Sequence, residues 1–60
     1  MKLTAHIKKA AEGWLDLAVV ELPATEAHAR NVEEIPGVVR VAAARLTGRS
    51  EEEFDVEVSY

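Results

Sequence analysis

Near the N-terminus, Leu3, Ala5 and Ile7 alternate with Thr4, His6 and Lys8. That is the period of a strand with one buried face. Residues 10–13, Ala-Ala-Glu-Gly, read as a turn in which Gly13 is free to take positive φ. A second strand follows from Trp14 to Leu22, antiparallel to the first, and Pro23, which lacks an N–H, ends its ladder. Its pattern is unusual. Leu15, Leu17 and Val19 point one way, while Trp14, Ala18 and Val20 point the other, and only Asp16 and Glu21 carry charge. A strand with a single core should alternate apolar and polar residues; this one is apolar on both faces. Residues 25–30, Thr-Glu-Ala-His-Ala-Arg, read as a short third strand with Ala27 and Ala29 on one face and His28 on the other, although alanine has low strand propensity.

The period then changes. Val32, Ile35, Val39, Ala42 and Leu46 are spaced by three and four, the stripe of a helix packed on a sheet. Asn31 is a suitable N-cap and Glu34, three residues on, completes a capping-box pattern. Gly48 suits the position just past the helix end. Pro36-Gly37 interrupts the stripe, because proline inside a helix removes a backbone bond and crowds the preceding turn. Either the helix begins in earnest at Pro36 as a first-turn proline, or it spans 32–47 with an irregularity at 35–37; the second is expected. Ser50 followed by three glutamates reads as a capped short turn. Phe54, Val56, Val58 and Tyr60 then alternate with Asp55, Glu57 and Ser59, a final strand with an acidic outer face. The order is β-β-(β)-α-β. A right-handed crossover would lay the last strand parallel to the first, giving strand order 3-2-1-4 and a small α+β domain over 1–60: a three- to four-stranded mixed sheet with one helix on one face.

That architecture sharpens the problem of the second strand. The outward residues of the first and last strands are polar, so a bare face suits them. The second strand keeps one apolar row that is either exposed or met by another molecule, and an exposed apolar patch rimmed by charge marks an interaction surface. Composition points the same way. Sixty residues form one domain, and a domain of that size buries only about 60% of its unfolded surface. Hydrophobic residues make up 48% of the chain, but ten of them are alanine, which adds little to a core. There is no cysteine to staple the fold, so stability from a partner or from self-association is expected. The net charge of −4 disfavours a general nucleic-acid binder and suits a basic protein partner. Met1 to Ala10 has no apolar signal-peptide core and no apolar run is long enough to span a membrane, so the expected location is the cytoplasm.

Candidate chemistry is sparse. His6 and His28 are the only imidazoles. In the order 3-2-1-4 they lie on strands that do not touch, so they read as surface residues, with no metal and no cofactor expected. Asp16 and Glu21, five apart on one strand, point to opposite faces and cannot form a paired acid and base. No triad, dyad or metal set can be assembled, and a non-enzyme is expected. Arg45 and Arg49 near the helix end complement its dipole; Arg40, Arg45 and Arg49 lack the interleaved aromatics of a nucleic-acid stripe. Glu51, Glu52, Glu53, Asp55 and Glu57 read either as a solvated edge that resists aggregation or as an acidic dock. Trp14 is open between a core aromatic and an interface anchor, a residue type enriched at binding hot spots.

Gly13-Trp14 opening the second strand and Glu21-Leu22-Pro23 ending it resemble the start of HicB-like antitoxins. His28-Ala29-Arg30, Asn31 and Val32-Glu33-Glu34 resemble that family's third strand and capped helix entry, its Thr-Gln pair falling on Ala27 and His28. Phe54, Asp55, Val56 and Val58 match the closing strand of a small branch of the family. The likeness spans nearly the whole chain, carried by the order and spacing of the motifs. It implies a partly degraded ribonuclease-H-like fold that binds a small basic toxin and blocks its ribonuclease activity. The chain departs from the family pattern in three places: Ala24-Thr25 replaces the family's Gly-Cys, Pro36-Gly37 interrupts the helix, and no DNA-binding segment is expected after Tyr60. The first strand, with Thr4 and His6, offers no carboxylate for a ribonuclease-H site, so the fold likeness does not bring that activity with it.

The expected function is therefore a non-enzymatic protein-binding module of the antitoxin kind. It would occlude a basic toxin through Trp14, Asp16, Ala18 and Val20 on the second strand and Asp55 and Glu57 on the last. The alternative is a stand-alone homo-oligomer whose sheets pack face to face.

Overall fold

A computed structural model describes residues 1–59; the expected inward position of Tyr60 lies outside the described residues. Strands β1 (Lys2–Ala11), β2 (Trp14–Val19), β3 (Glu26–Ala29) and β4 (Asp55–Ser59) form one sheet, and helix α1 (Ile35–Thr47) lies between β3 and β4 in the chain. The sheet order is β3-β2-β1-β4. β1 pairs antiparallel with β2 and parallel with β4, and β2 pairs antiparallel with β3. This is the mixed α+β architecture that the pattern predicts, with the third strand present.

The first hairpin is tighter and longer than the sequence suggests. β1 runs on through Ala10 and Ala11, so the turn is Glu12-Gly13 alone. Both residues have positive φ, 54° and 80°, as a two-residue mirror-image turn requires to match the strand twist. Between Ile7 and Lys9 the register slips. Ile7 lies opposite Leu17 but Lys9 lies opposite Asp16, so one extra residue is accommodated and the inward phase of β1 changes. Lys9 therefore joins the side occupied by Thr4 and His6.

β2 ends at Val19 rather than at Leu22. The Val20 N–H still donates to the Thr4 carbonyl at 3.0 Å. Beyond it, a side chain replaces the ladder: the Glu21 carboxylate accepts the Thr4 N–H at 2.6 Å and the Thr4 hydroxyl at 2.9 Å. The chain then turns through Pro23, closed by the Thr25 N–H on the Leu22 carbonyl at 2.9 Å.

Between β3 and β4 the chain forms a 3-10 turn over Val32–Glu34 and then α1. Asn31 is extended and its Oδ1 accepts the Glu34 N–H at 3.0 Å. The Glu34 carboxylate takes the N–H of Arg30, at 3.2 Å, one residue earlier than the reciprocal box would have it. Pro36 falls in the first turn of α1, where no intrahelical N–H is needed. Gly48 ends the helix at φ 74°, its N–H on the Ala44 carbonyl at 2.8 Å.

The expected helical stripe needs correction. The buried positions are Ile35, Val39 and Ala43; Ala42 is half-buried, and Val32 and Leu46 are exposed. Val32 belongs to the 3-10 turn, so it does not share the phase of α1. Leu46 lies in the last turn, half exposed beside Thr25 and Arg45. Ile35, Val39 and Ala43 pack with Leu3, Ala5, Leu17 and Val19, and Phe54 closes the core just before β4. Among the described residues, four of the ten buried apolar ones, Ala5, Ala27, Ala29 and Ala43, are alanines, so the core is thin, and β3 contributes only alanines to it. Ser50 and Glu53 form a full capping box on the short turn before β4.

Candidate protein interface on the open sheet face

The register fixes which residues share the face away from α1. On β2 these are Trp14, Asp16 and Ala18, with Val20 just past the strand end. On β1 they are Thr4, His6 and Lys9, on β3 Glu26 and His28, and on β4 Asp55 and Glu57. All six residues expected at an interface, Trp14, Asp16, Ala18, Val20, Asp55 and Glu57, thus lie on one face of one sheet. They do not form one continuous patch. β1 runs between the β2 row and the β4 row, and two strand spacings separate them by about 10 Å.

The apolar row is exposed where it matters. Val20 is 64% exposed and Trp14 46%, so Trp14 is not a core aromatic. Its ring carries the Arg30 guanidinium 5.0 Å from the centroid, a cation–π contact within the range of significant attraction. Next to it, His28 Nε2 lies 3.0 Å from Asp16 Oδ1 across the β2–β3 pair. The imidazole and the carboxylate are therefore held side by side.

At the far side of the face, Lys2 Nζ meets Glu57 Oε2 at 2.8 Å. The hydrogen bond and charge of Glu57 hold the Lys2 ammonium above the usual lysine range. Asp55 has no such partner among the described ion pairs. The face is thus not uniformly acidic: an apolar row with a paired carboxylate, a basic column on β1, and an acidic column on β4 lie side by side. Glu21 stands at the end of the apolar row. The Thr4 N–H that it accepts holds its carboxyl below the usual carboxylate range.

Asp16 and Glu21 are committed to different partners, His28 and Thr4, and do not meet. His6 lies opposite Ala18, and His28 opposite Asp16, with β2 between the two imidazoles. Among the described residues, no three His, Asp or Glu side chains are placed to hold a metal ion together, and no helix is long and apolar enough to cross a membrane.

The structure also shows a surface that periodicity does not reveal. A groove runs between β3 and α1, floored by Ala27 and walled by Val38, Val41 and Ala42. Its far end is lined by Thr25, Arg45 and Leu46. The sequence signal for it is the pair of valines at positions 38 and 41, which lie off the expected stripe.

Comparison of the chain with protein-family models, with curated proteins and with solved structures gives no match.

Proposed function

We propose that this chain is a non-enzymatic, cytoplasmic protein-binding module that covers a basic partner with the open face of its sheet. The single observation behind this is the uncovered apolar row of β2, with Trp14 and Val20 exposed beside charge of both signs. Aromatic anchors ringed by polar groups are where binding energy concentrates. The acidic net charge of −4 would steer a basic partner toward the chain and raise the association rate. The resemblance to HicB-like antitoxins supplies the class of partner: a small basic ribonuclease of double-stranded-RNA-binding-like fold. Inhibition would work by occlusion. Trp14 and Val20 would bury against the toxin, while Asp55, free of an ion pair among the described residues, would face its cations.

Co-expression tests this. A small basic ribonuclease that arrests growth should be neutralised by the chain, and Val20→Asp should abolish neutralisation while leaving the fold intact. Unimpaired neutralisation by Val20→Asp together with Trp14→Ser would remove the open face from the mechanism. The second reading, a homo-oligomer with sheets packed face to face, uses the same exposed row. It predicts an assembly that Val20→Asp dissolves and that takes no basic protein.

A further inference from the structure

The two edges of the sheet are not alike. The β4 edge is capped where the chain enters it. Arg40 Nε donates to the Phe54 carbonyl at 3.1 Å, and the capped turn of Glu51, Glu52 and Glu53 stands beside it. Charge along an edge blocks pairing with another chain. The β3 edge carries charge of both signs, Glu26 and Arg30 on the strand and Glu33, Glu34 and Arg45 across the groove, so it does not repel a copy of itself as an edge of one sign would. β3 pairs only with β2, and no other backbone bond among the described residues reaches Glu26–Ala29. Above this edge lies the groove against α1, where Val41 and Leu46 remain 37% and 49% exposed.

The sequence of that edge is self-complementary. Glu26 and His28 lie on the open face of the sheet, and Arg30 continues the same side, over Trp14. The row therefore reads acid, imidazole, cation. In an antiparallel pair of identical strands centred on His28, each residue before the centre lies opposite the one equally far beyond it. Glu26 then faces Arg30 of the second copy, and symmetry makes the pair twice. On the other side, Ala27 faces Ala29, two small residues that let the strands and their helices approach.

We propose that β3 is the seam of a homodimer, pairing antiparallel with β3 of a second copy about a dyad at His28, with Glu26 opposite Arg30 in both directions. A twofold seam closes on itself, so it joins two sheets of four strands into one and does not propagate. Its backbone contacts use an edge, whereas the partner-binding reading uses a face; the two meet at Arg30, which stacks on Trp14, and Val20→Asp, remote from β3, tells them apart.

The test is the dissociation constant of self-association, by light scattering and sedimentation, for the full chain, Glu26→Arg, Arg30→Glu and their equimolar mixture. Like charges set opposite each other at both symmetric positions should weaken the dimer at least about tenfold in each variant. The mixture should restore it, because every arginine of the first variant's seam then meets a glutamate of the second's. Restoration also shows that both variants fold. The proposal is overturned if the full chain stays monomeric into the millimolar range, if neither reversal changes the constant, or if mixing restores nothing. It is equally overturned if Val20→Asp, not the reversals, dissolves the assembly, which would place the seam on the open face. A foreign basic strand seated on β3 of a monomeric chain would also overturn it.

Discussion

β2 carries the sharpest distinction in the structure, and two substitutions on it separate folding from binding. Leu17 is 3% exposed and packs into the core, whereas Val20, three residues on, is 64% exposed on the other face. Leu17→Ala removes the isopropyl end of a side chain in a closed site, which costs about 2–5 kcal/mol once the residual cavity is included. A domain of this length is held by only roughly 3–9 kcal/mol in all, scaled from the usual per-residue stability. Leu17→Ala should therefore lose about a fifth of the total or more and melt on the order of 10 °C lower or further. Val20→Asp touches no packed neighbour and should lie within about 0.5 kcal/mol of the parent. Urea unfolding read by far-ultraviolet circular dichroism, at several protein concentrations, measures both. If Leu17→Ala costs less than about 1 kcal/mol, β2 does not face the core as described. If Val20→Asp costs more than about 1 kcal/mol and the cost grows with concentration, a second copy already covers the open face, since association adds to apparent stability by mass action.

Three further outcomes follow from local chemistry. The depressed Glu21 carboxyl contributes stability above the unfolded value of 4.5 that is lost as pH falls through the lower folded value. Acid unfolding of Glu21→Gln should accordingly show a flatter limb below pH 4.5 than the parent, by an amount that solvent exposure keeps small; an unchanged limb removes the Thr4 contact. Glu12→Asn, which places a residue tolerant of positive φ in the hairpin turn, should raise stability by about 0.5–1 kcal/mol in thermal melts, whereas a loss would mean that the turn is not of the mirror-image kind. Thr25→Val keeps the shape and removes a buried hydroxyl with no partner among the described residues. It should stabilise the isolated monomer by about 1 kcal/mol, and a destabilised monomer would show that the hydroxyl is already satisfied.

Much of the fold is legible in the sequence because the strand signals are two-sided. Leu3, Ala5 and Ile7 against Thr4 and His6, and Phe54, Val56 and Val58 against Asp55 and Glu57, fix both facing and strand type, and one helix between them fixes the parallel pairing. The six residues expected at an interface share one face because alternation alone puts them there. What escapes the pattern depends on packing or on turns. Glu12 holds a positive φ that no propensity favours, so residue pattern makes the hairpin turn two residues too wide. The slip near Lys8 leaves no mark in a run of lysines and alanines. Val32 and Leu46 fit a helical stripe by spacing, but the helix starts after the one and the core ends before the other. The groove beside β3 lies where α1 meets a strand that offers it only alanines, and that junction exists only once helix and strand are packed together. The acid-imidazole-cation row along β3 becomes meaningful only once β3 is known to be an edge.

Binding at the open face can be read through the chain's single tryptophan. Trp14 sits on the open face, and its emission can be followed while a small basic ribonuclease of the expected class is titrated in. Saturable binding with a blue shift and protection from acrylamide is expected, both lost in Val20→Asp. A complex that forms while Trp14 stays as quenchable as in the free chain would contradict it, because the partner would then be held somewhere other than the open face of the sheet.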